Sequence, residues 1–335
     1  MTSYHIAGIG TAAAERVPGG AVGEAHVDAG ELLAAVGLEA RHAPERDISP
    51  FELAVDASRD ALAAADVGPP DVDMILHLGR MRVEYFTWGL SLAVAKELGH
   101  LTPRCVDVSE FTGPSLVAGL RLLRAKFRAD ERLSTALLVF PHRFSDFADT
   151  DVPEDRWLWP LSDGAGALVL RRGSGPGAPL GSAFASDGTA ARSIGLRSEV
   201  VDEGPDPDGF FNHEWALAKY YFLRDPEAWP LEFEVRVATR LADTIERAAA
   251  RAGLGLDDLA VVQTGYLYPG VAERLRQHLG LGSRLAAHNA QGMMGGAELA
   301  FALQTLMADP ALRGTRVALA GFGLPGHFGA LIAAL

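Results

Sequence analysis

One order of landmarks occurs twice in these 335 residues, which restricts the chain to a fold built from two like halves. Ala65-Asp66-Val67-Gly68, followed by Asp71 and an apolar stretch at Met74, recurs as Ala252-Gly253-Leu254-Gly255, followed by Asp258 and an apolar stretch at Val261. Gly113 and the helical pattern after it recur as Gly295 and the pattern from Ala297 to Met307. Ala136 to Phe140 recurs as Val317 to Gly321, and Gly166-Ala167-Leu168-Val169 as Gly329-Ala330-Leu331-Ile332. Matches in one order imply an internal duplication, with one α/β half over residues 1–175 and another over 176–335. Each half is expected to be a mixed sheet covered by helices. The Gly-, Ser- and Pro-rich stretch from Gly173 to Gly177 is the expected join.

Within the first half the pattern resolves into elements. Tyr4 to Ile9 reads as a strand, and Pro50 to Ala65 as a helix with Ser49 at its cap and proline at its first position. A short buried strand is expected at Asp73 to Leu76, a helix from Trp88 to Leu98 and a strand from Arg104 to Val108. Ala136 to Phe140 is a continuous apolar run of the kind that parallel sheets bury on both faces. Between the last two strands lies Phe111-Thr112-Gly113-Pro114-Ser115, a tight turn that opens a helix from Ser115 to about Ala129, with Leu116, Leu120 and Leu123 on one face. A helix start has free N–H groups and favours negative charge, so this elbow is where an acyl-transfer nucleophile would stand. Duplication would set it against the second elbow at Gly295.

Composition narrows the partners. A formal net charge of -13 disfavours nucleic acid and anionic membranes, whose phosphates would repel the chain. Small molecules or carrier proteins fit better. The single cysteine, Cys105, precludes an intramolecular disulfide and a cysteine-cluster metal site. No pair of histidines has zincin spacing and no Walker-type loop is present, so no metal or nucleotide cofactor is expected. The N-terminus enters a strand directly and no stretch is long and apolar enough for a bilayer, so the expected location is the cytoplasm.

Several motifs together resemble the thiolase superfamily, and within it the β-ketoacyl-ACP synthase III-like branch, over nearly the whole chain. They are Arg41 in Leu38-Glu39-Ala40-Arg41, the helix from Phe51 to Leu62, Val106-Asp107-Val108, Ser162-Asp163-Gly164-Ala165-Gly166-Ala167 and Gly321-Phe322-Gly323. The resemblance implies a five-layer αβαβα fold of two duplicated halves. It also implies a homodimer, with Arg82 to Leu92 at the interface, and an acyl group delivered by CoA or an acyl carrier protein. The family resembles itself in a Cys-His-Asn triad, and here the chain departs from it. The cysteine position holds Thr112, the histidine position falls near Thr264-Gly265, and the asparagine position falls near Met293, unless Asn289 takes its place.

Candidate site residues follow from that departure. Thr112 or Ser115 could act as a hydroxyl nucleophile, and each could equally be a helix cap. Cys105, seven residues before Thr112 and inside a strand, reads as an inert small residue. His327, just past a Gly-rich loop, is the first candidate for general base, with a strand histidine bonded to a carbonyl as its plain alternative. His142 at a strand end comes next, followed by His288. His213 lies in an aromatic insertion from Phe210 to Trp229 that reads as a lid or interface. Backbone N–H groups near Thr112 and Gly323 are the expected oxyanion donors. Two functions fit these residues: an acyltransferase of the ketosynthase III-like type without a cysteine nucleophile, or a catalytically silent partner subunit or acyl-binding protein.

Overall fold

The computed structural model describes residues 4–18, 34, 36–38, 40–43, 48–79, 89–108, 112–148, 152–191, 193–200, 217–224, 229–288, 291–324 and 326–335. Three readings fall outside them: Asn289, the insertion at 210–216 and 225–228, which includes His213, and the interface segment at 82–88.

The first half contains β1 (Tyr4–Ala13), β2 (Arg16–Pro18), β3 (Ala40–His42), β4 (Met74–Leu78), β5 (Arg104–Val108), β6 (Thr135–His142) and β7 (Gly164–Arg172). Its helices are α1 (Pro50–Ala65), α2 (Leu90–Glu97) and α3 (Ser115–Ala129). The second half contains β8 (Ala178–Ser186), β9 (Ile194–Val200), β10 (Leu217–Leu223), β11 (Val261–Thr264), β12 (Leu285–Ala287), β13 (Arg316–Gly323) and β14 (His327–Ala334). Its helices are α4 (Trp229–Arg251), α5 (Pro269–Leu279) and α6 (Gly296–Ala308). One five-stranded sheet runs β1-β7-β6-β4-β5 and the other runs β8-β14-β13-β11-β12. Both have the same pairing: two antiparallel contacts, then two parallel ones.

Strand alternation sorts the side chains into layers. On β6, Ala136, Leu138 and Phe140 enter a central core with Leu116, Leu120 and Leu123 of α3 and Leu299, Leu303 and Leu306 of α6. Leu137 and Val139 turn outward to pack under α1 and α2. On β13, Val317 and Leu319 face the same central core, while Ala318 and Ala320 face α4 and α5. The result is an αβαβα sandwich with α3 and α6 as its middle layer.

Local chemistry sets the helix ends. Ser49 and Glu52 form the reciprocal capping box of α1, at 3.1 and 2.9 Å. Helix α2 begins at Leu90, later than the apolar pattern suggested, with Gly89 at its cap. Helix α3 has Pro114 at its cap position and no side-chain cap bond.

Candidate active site

The two elbows meet. A Cβ on Gly296, at the start of α6, would collide with the Ser115 side chain at the start of α3. At the first elbow Gly113 packs on the Phe322 carbonyl so closely that no side chain fits there, and a Cβ on residue 323 would overlap Thr112 Oγ1. The β13 end therefore closes over the Thr112 turn.

The two hydroxyls of this turn have different fates. Ser115 is fully buried, and its Oγ donates to the Thr112 carbonyl at 2.5 Å. That bond stays within the helix start, and Ser115 Oγ makes no bond to a histidine among the described residues. Thr112 is also buried, but its Oγ1 has no hydrogen-bond partner. A cap would have spent that hydroxyl on a backbone N–H, and Thr112 does not.

The histidines separate as well. His327 stands opposite Gly323 on β14. Directly paired residues project to one face, which here is the central one, shared with Leu331 and Ala333. The ring lies 3.0 Å from Ser186 Oγ through Nδ1, beside Phe184, and burial lowers its pKa. His142, at the end of β6, is buried and accepts from Gly296 N–H at 3.1 Å through Nε2. It thus serves the start of α6 and makes no bond to either hydroxyl. His288 Nε2 lies 2.8 Å from Gln291 Oε1 and its ring stacks on Phe301. Cys105 sits on β5 with its side chain against the outer core, and burial raises its pKa. It is remote from the junction by its position in the strand.

The positions that the resemblance gave to imidazole and amide are otherwise used. Thr264 Oγ1 donates to the Gly265 and Ala286 carbonyls at 3.0 and 3.3 Å. Met293 bridges to the other half through its backbone, donating to Pro160 O and accepting from Ser162 N–H. The Ser162-Asp163 motif is a clamp. Asp163 accepts from Phe144 N–H, Ser145 N–H and Ser145 Oγ at 2.7, 2.8 and 2.6 Å, and Ser162 Oγ accepts from His42 N–H at 3.0 Å. It fixes the turn after β6 and the short strand carrying Arg41. The glycines of the motif clear room: Gly166 lies against Phe140 and Ala300, so α6 can seat on β7.

One residue escaped the sequence reading. Glu298, in the first turn of α6, is buried at 4% exposure and accepts from Tyr266 N–H and from the Met294 and Gly295 backbone. It lines a small pocket with Gly113, Gly265, Tyr266, Leu267, Met293, Leu299, Gly321 and Phe322, so both halves contribute walls. Burial raises its pKa to about 8. Its signal was available, since it is the one ionisable residue between Gly295 and Met307. Among the described residues no cluster could hold a metal ion, and no helix is long and apolar enough to cross a membrane.

A five-layer αβαβα sandwich with facing elbows is the fold of the thiolase-like ketosynthase III structures. The priming β-ketosynthase from the R1128 polyketide biosynthetic pathway matches with a TM-score of 0.80 at 21% identity, over 99% of this chain and 96% of that one. The 3-oxoacyl-(acyl carrier protein) synthase III of Pseudomonas aeruginosa PAO1 matches at 0.80 and 22%, over 99% and 98%. A variant of Xanthomonas campestris OleA, solved with bound lauric acid and lauroyl-CoA, matches at 0.77 and 18%, over 99% of each chain. In sequence, the chain is 30% identical over 171 residues to a β-ketoacyl-[acyl-carrier-protein] synthase III of Bordetella petrii. That stretch spans 51% of this chain and 50% of the relative, about half of each. No protein-family model matches the chain.

Proposed function

We propose that this protein is an acyltransferase of the ketosynthase III-like type, acting in a biosynthetic pathway of the polyketide or fatty-acid kind. In this reading it takes an acyl group from a CoA or acyl-carrier-protein thioester, with Thr112 in the place of a cysteine nucleophile. The observation that carries the reading is the Thr112 hydroxyl: buried, unspent, and set before a helix start in a fold whose relatives are named for acyl-carrier-protein synthases. A hydroxyl is a far weaker nucleophile than a thiolate, so it needs a base. His327 is the base in this proposal. It shares the sheet face that Gly323 presents to Thr112, and burial lowers its pKa, which favours the neutral imidazole that a base needs. Asn289 is retained as a candidate on sequence alone. The cytoplasm is the proposed location, no cofactor beyond the acyl thioester is invoked, and the proposed assembly is a homodimer through residues 82–92.

The test is thiol release from a panel of acyl-CoA and acyl-carrier-protein substrates. Release with at least one substrate, lost in Thr112→Ala, supports the reading, and no release with any of them refutes it. A second reading, a silent partner subunit, draws on one observation: among the described residues, no histidine is hydrogen-bonded to Thr112 Oγ1 or Ser115 Oγ. It predicts no release by the protein alone and a changed product length when it is mixed with an active ketosynthase.

A further inference from the structure

We propose that Glu298 is the proton-transferring residue of the junction pocket, standing where the resemblance places an imidazole. Resting on the acyltransfer reading, this inference adds a residue that reading does not use. Three observations carry it. The carboxyl lines the pocket that Gly113 and Gly321 close from the elbow side. Gly265 has no side chain, and a Cβ there would collide with Glu298 Oε2, so the carboxyl fills the volume that a side chain at residue 265 would take. That is the place, near Thr264-Gly265, at which the family carries its histidine. The Tyr266 N–H then holds the same oxygen in position.

A carboxyl at a helix start has a plain role to set against this one. Glu298 occupies the third position of α6 and reaches back to the Met294 and Gly295 backbone, as a capping glutamate does. Capping glutamates sit in water, where ionisation is easy. This one is shut in the interior, so its ordinary charge is opposed, and burial outweighs the backbone N–H groups that favour the carboxylate. The titratable groups around it among the described residues are the phenols of Tyr266 and Tyr268, both pushed up by burial, and His142, which accepts from the next N–H of the same helix start. At neutral pH it therefore enters the cycle as an acid. It gives its proton to the departing thiol sulfur as the acyl C–S bond breaks and the bond from Thr112 Oγ1 to the acyl carbon forms, the Thr112 hydroxyl proton passing to His327. It then takes a proton from the accepting group as that group's bond to the acyl carbon forms and the Thr112 ester bond breaks, His327 returning its proton to Thr112 Oγ1. The exchange is an acyl group for a proton, with no change of oxidation state.

Glu298→Gln tests this, because the amide oxygen still accepts from Tyr266 N–H but cannot titrate. The expected result is a loss of turnover of about a hundredfold or more with the fold intact by circular dichroism. The wild-type rate should fall as pH rises past about 8, and the variant should lack that limb. Unchanged turnover with the limb retained would reduce Glu298 to a cap. A second measurement needs no turnover: the infrared carboxyl band of the intact protein, with and without acetonyl-CoA, a non-cleavable thioester analogue. A band that shifts on binding and is absent in Glu298→Gln supports the proposal even if no thioester is consumed. A band indifferent to the analogue overturns it, whatever the fate of the acyltransfer reading.

Discussion

The two elbows share one topology and little chemistry. Aligning Gly113 with Gly295 sets Leu116 of α3 against Glu298 of α6: an apolar residue packed in the central core in one half, a buried carboxyl in the other. The first elbow keeps a hydroxyl that nothing uses, at Thr112, and seals it with Gly323. The second is opened by Gly295, at φ 60°, and by Gly296, and its helix start is served from across the junction by His142. The frame is shared, and the unpartnered hydroxyl and the buried carboxyl are divided between the two elbows. In this account the first elbow accepts an acyl group and the second manages protons.

The sharpest way to break that contrast is through Glu298. Its carboxyl is raised from 4.5 to about 8 by burial. The folded state therefore holds a proton that the unfolded chain has released between those pH values. The stabilisation is complete below about 4.5 and drains away as pH rises through about 8, by at most about 1.4 kcal/mol per pH unit. Thermal melts of wild type and Glu298→Gln across that window should diverge accordingly. Parallel curves would show that the residue is ionised in the fold.

Next in size is the first elbow. Thr112→Ala and His327→Ala are each expected to lower turnover about a hundredfold, or about 2.7 kcal/mol, in thiol-release kinetics. Turnover at the wild-type level in both would remove the nucleophile and base. Gly113→Ala forces a methyl onto the Phe322 carbonyl and is expected to cost about 1–3 kcal/mol in urea unfolding. An undisturbed midpoint would mean the elbows yield. Ser115→Ala removes a bond internal to the helix start and should cost about 1 kcal/mol, with turnover within a few-fold of wild type. A loss matching that of Thr112→Ala would reverse the assignment of the two hydroxyls.

The middle of the fold was legible because its signals are periodic or punctuated. Ser115 to Ala129 is a helix over its expected span, and β5 runs from Arg104 to Val108 as read. Strands β6, β7, β13 and β14 carry the repeated runs that mark the duplication. Of the elements not read, α5 does carry such marks, Pro269 at its start and the left-handed Gly280 at its end, and α4 has Pro230 at its second residue. The site was legible in part. The Thr112 turn and His327 are candidates that a helix start and a Gly-rich loop mark in sequence. That Ser115 is spent and Thr112 is not depends on which acceptor each hydroxyl meets, which spacing does not encode. Sequence marks Glu298 as the one ionisable residue of its helix start, but a glutamate in a first helical turn is also an ordinary surface cap, so the mark says nothing of burial. Only the packing of Gly265 against it, from a segment 33 residues earlier, shows that it lies inside.

The central claim, that the first elbow takes the acyl group, is tested most directly by intact-protein mass spectrometry after mixing with a panel of acyl thioesters. The account predicts an adduct of acyl mass that maps to the peptide containing Thr112, persists in Ser115→Ala and vanishes in Thr112→Ala. No adduct with any thioester, or one that maps elsewhere and survives Thr112→Ala, would contradict it.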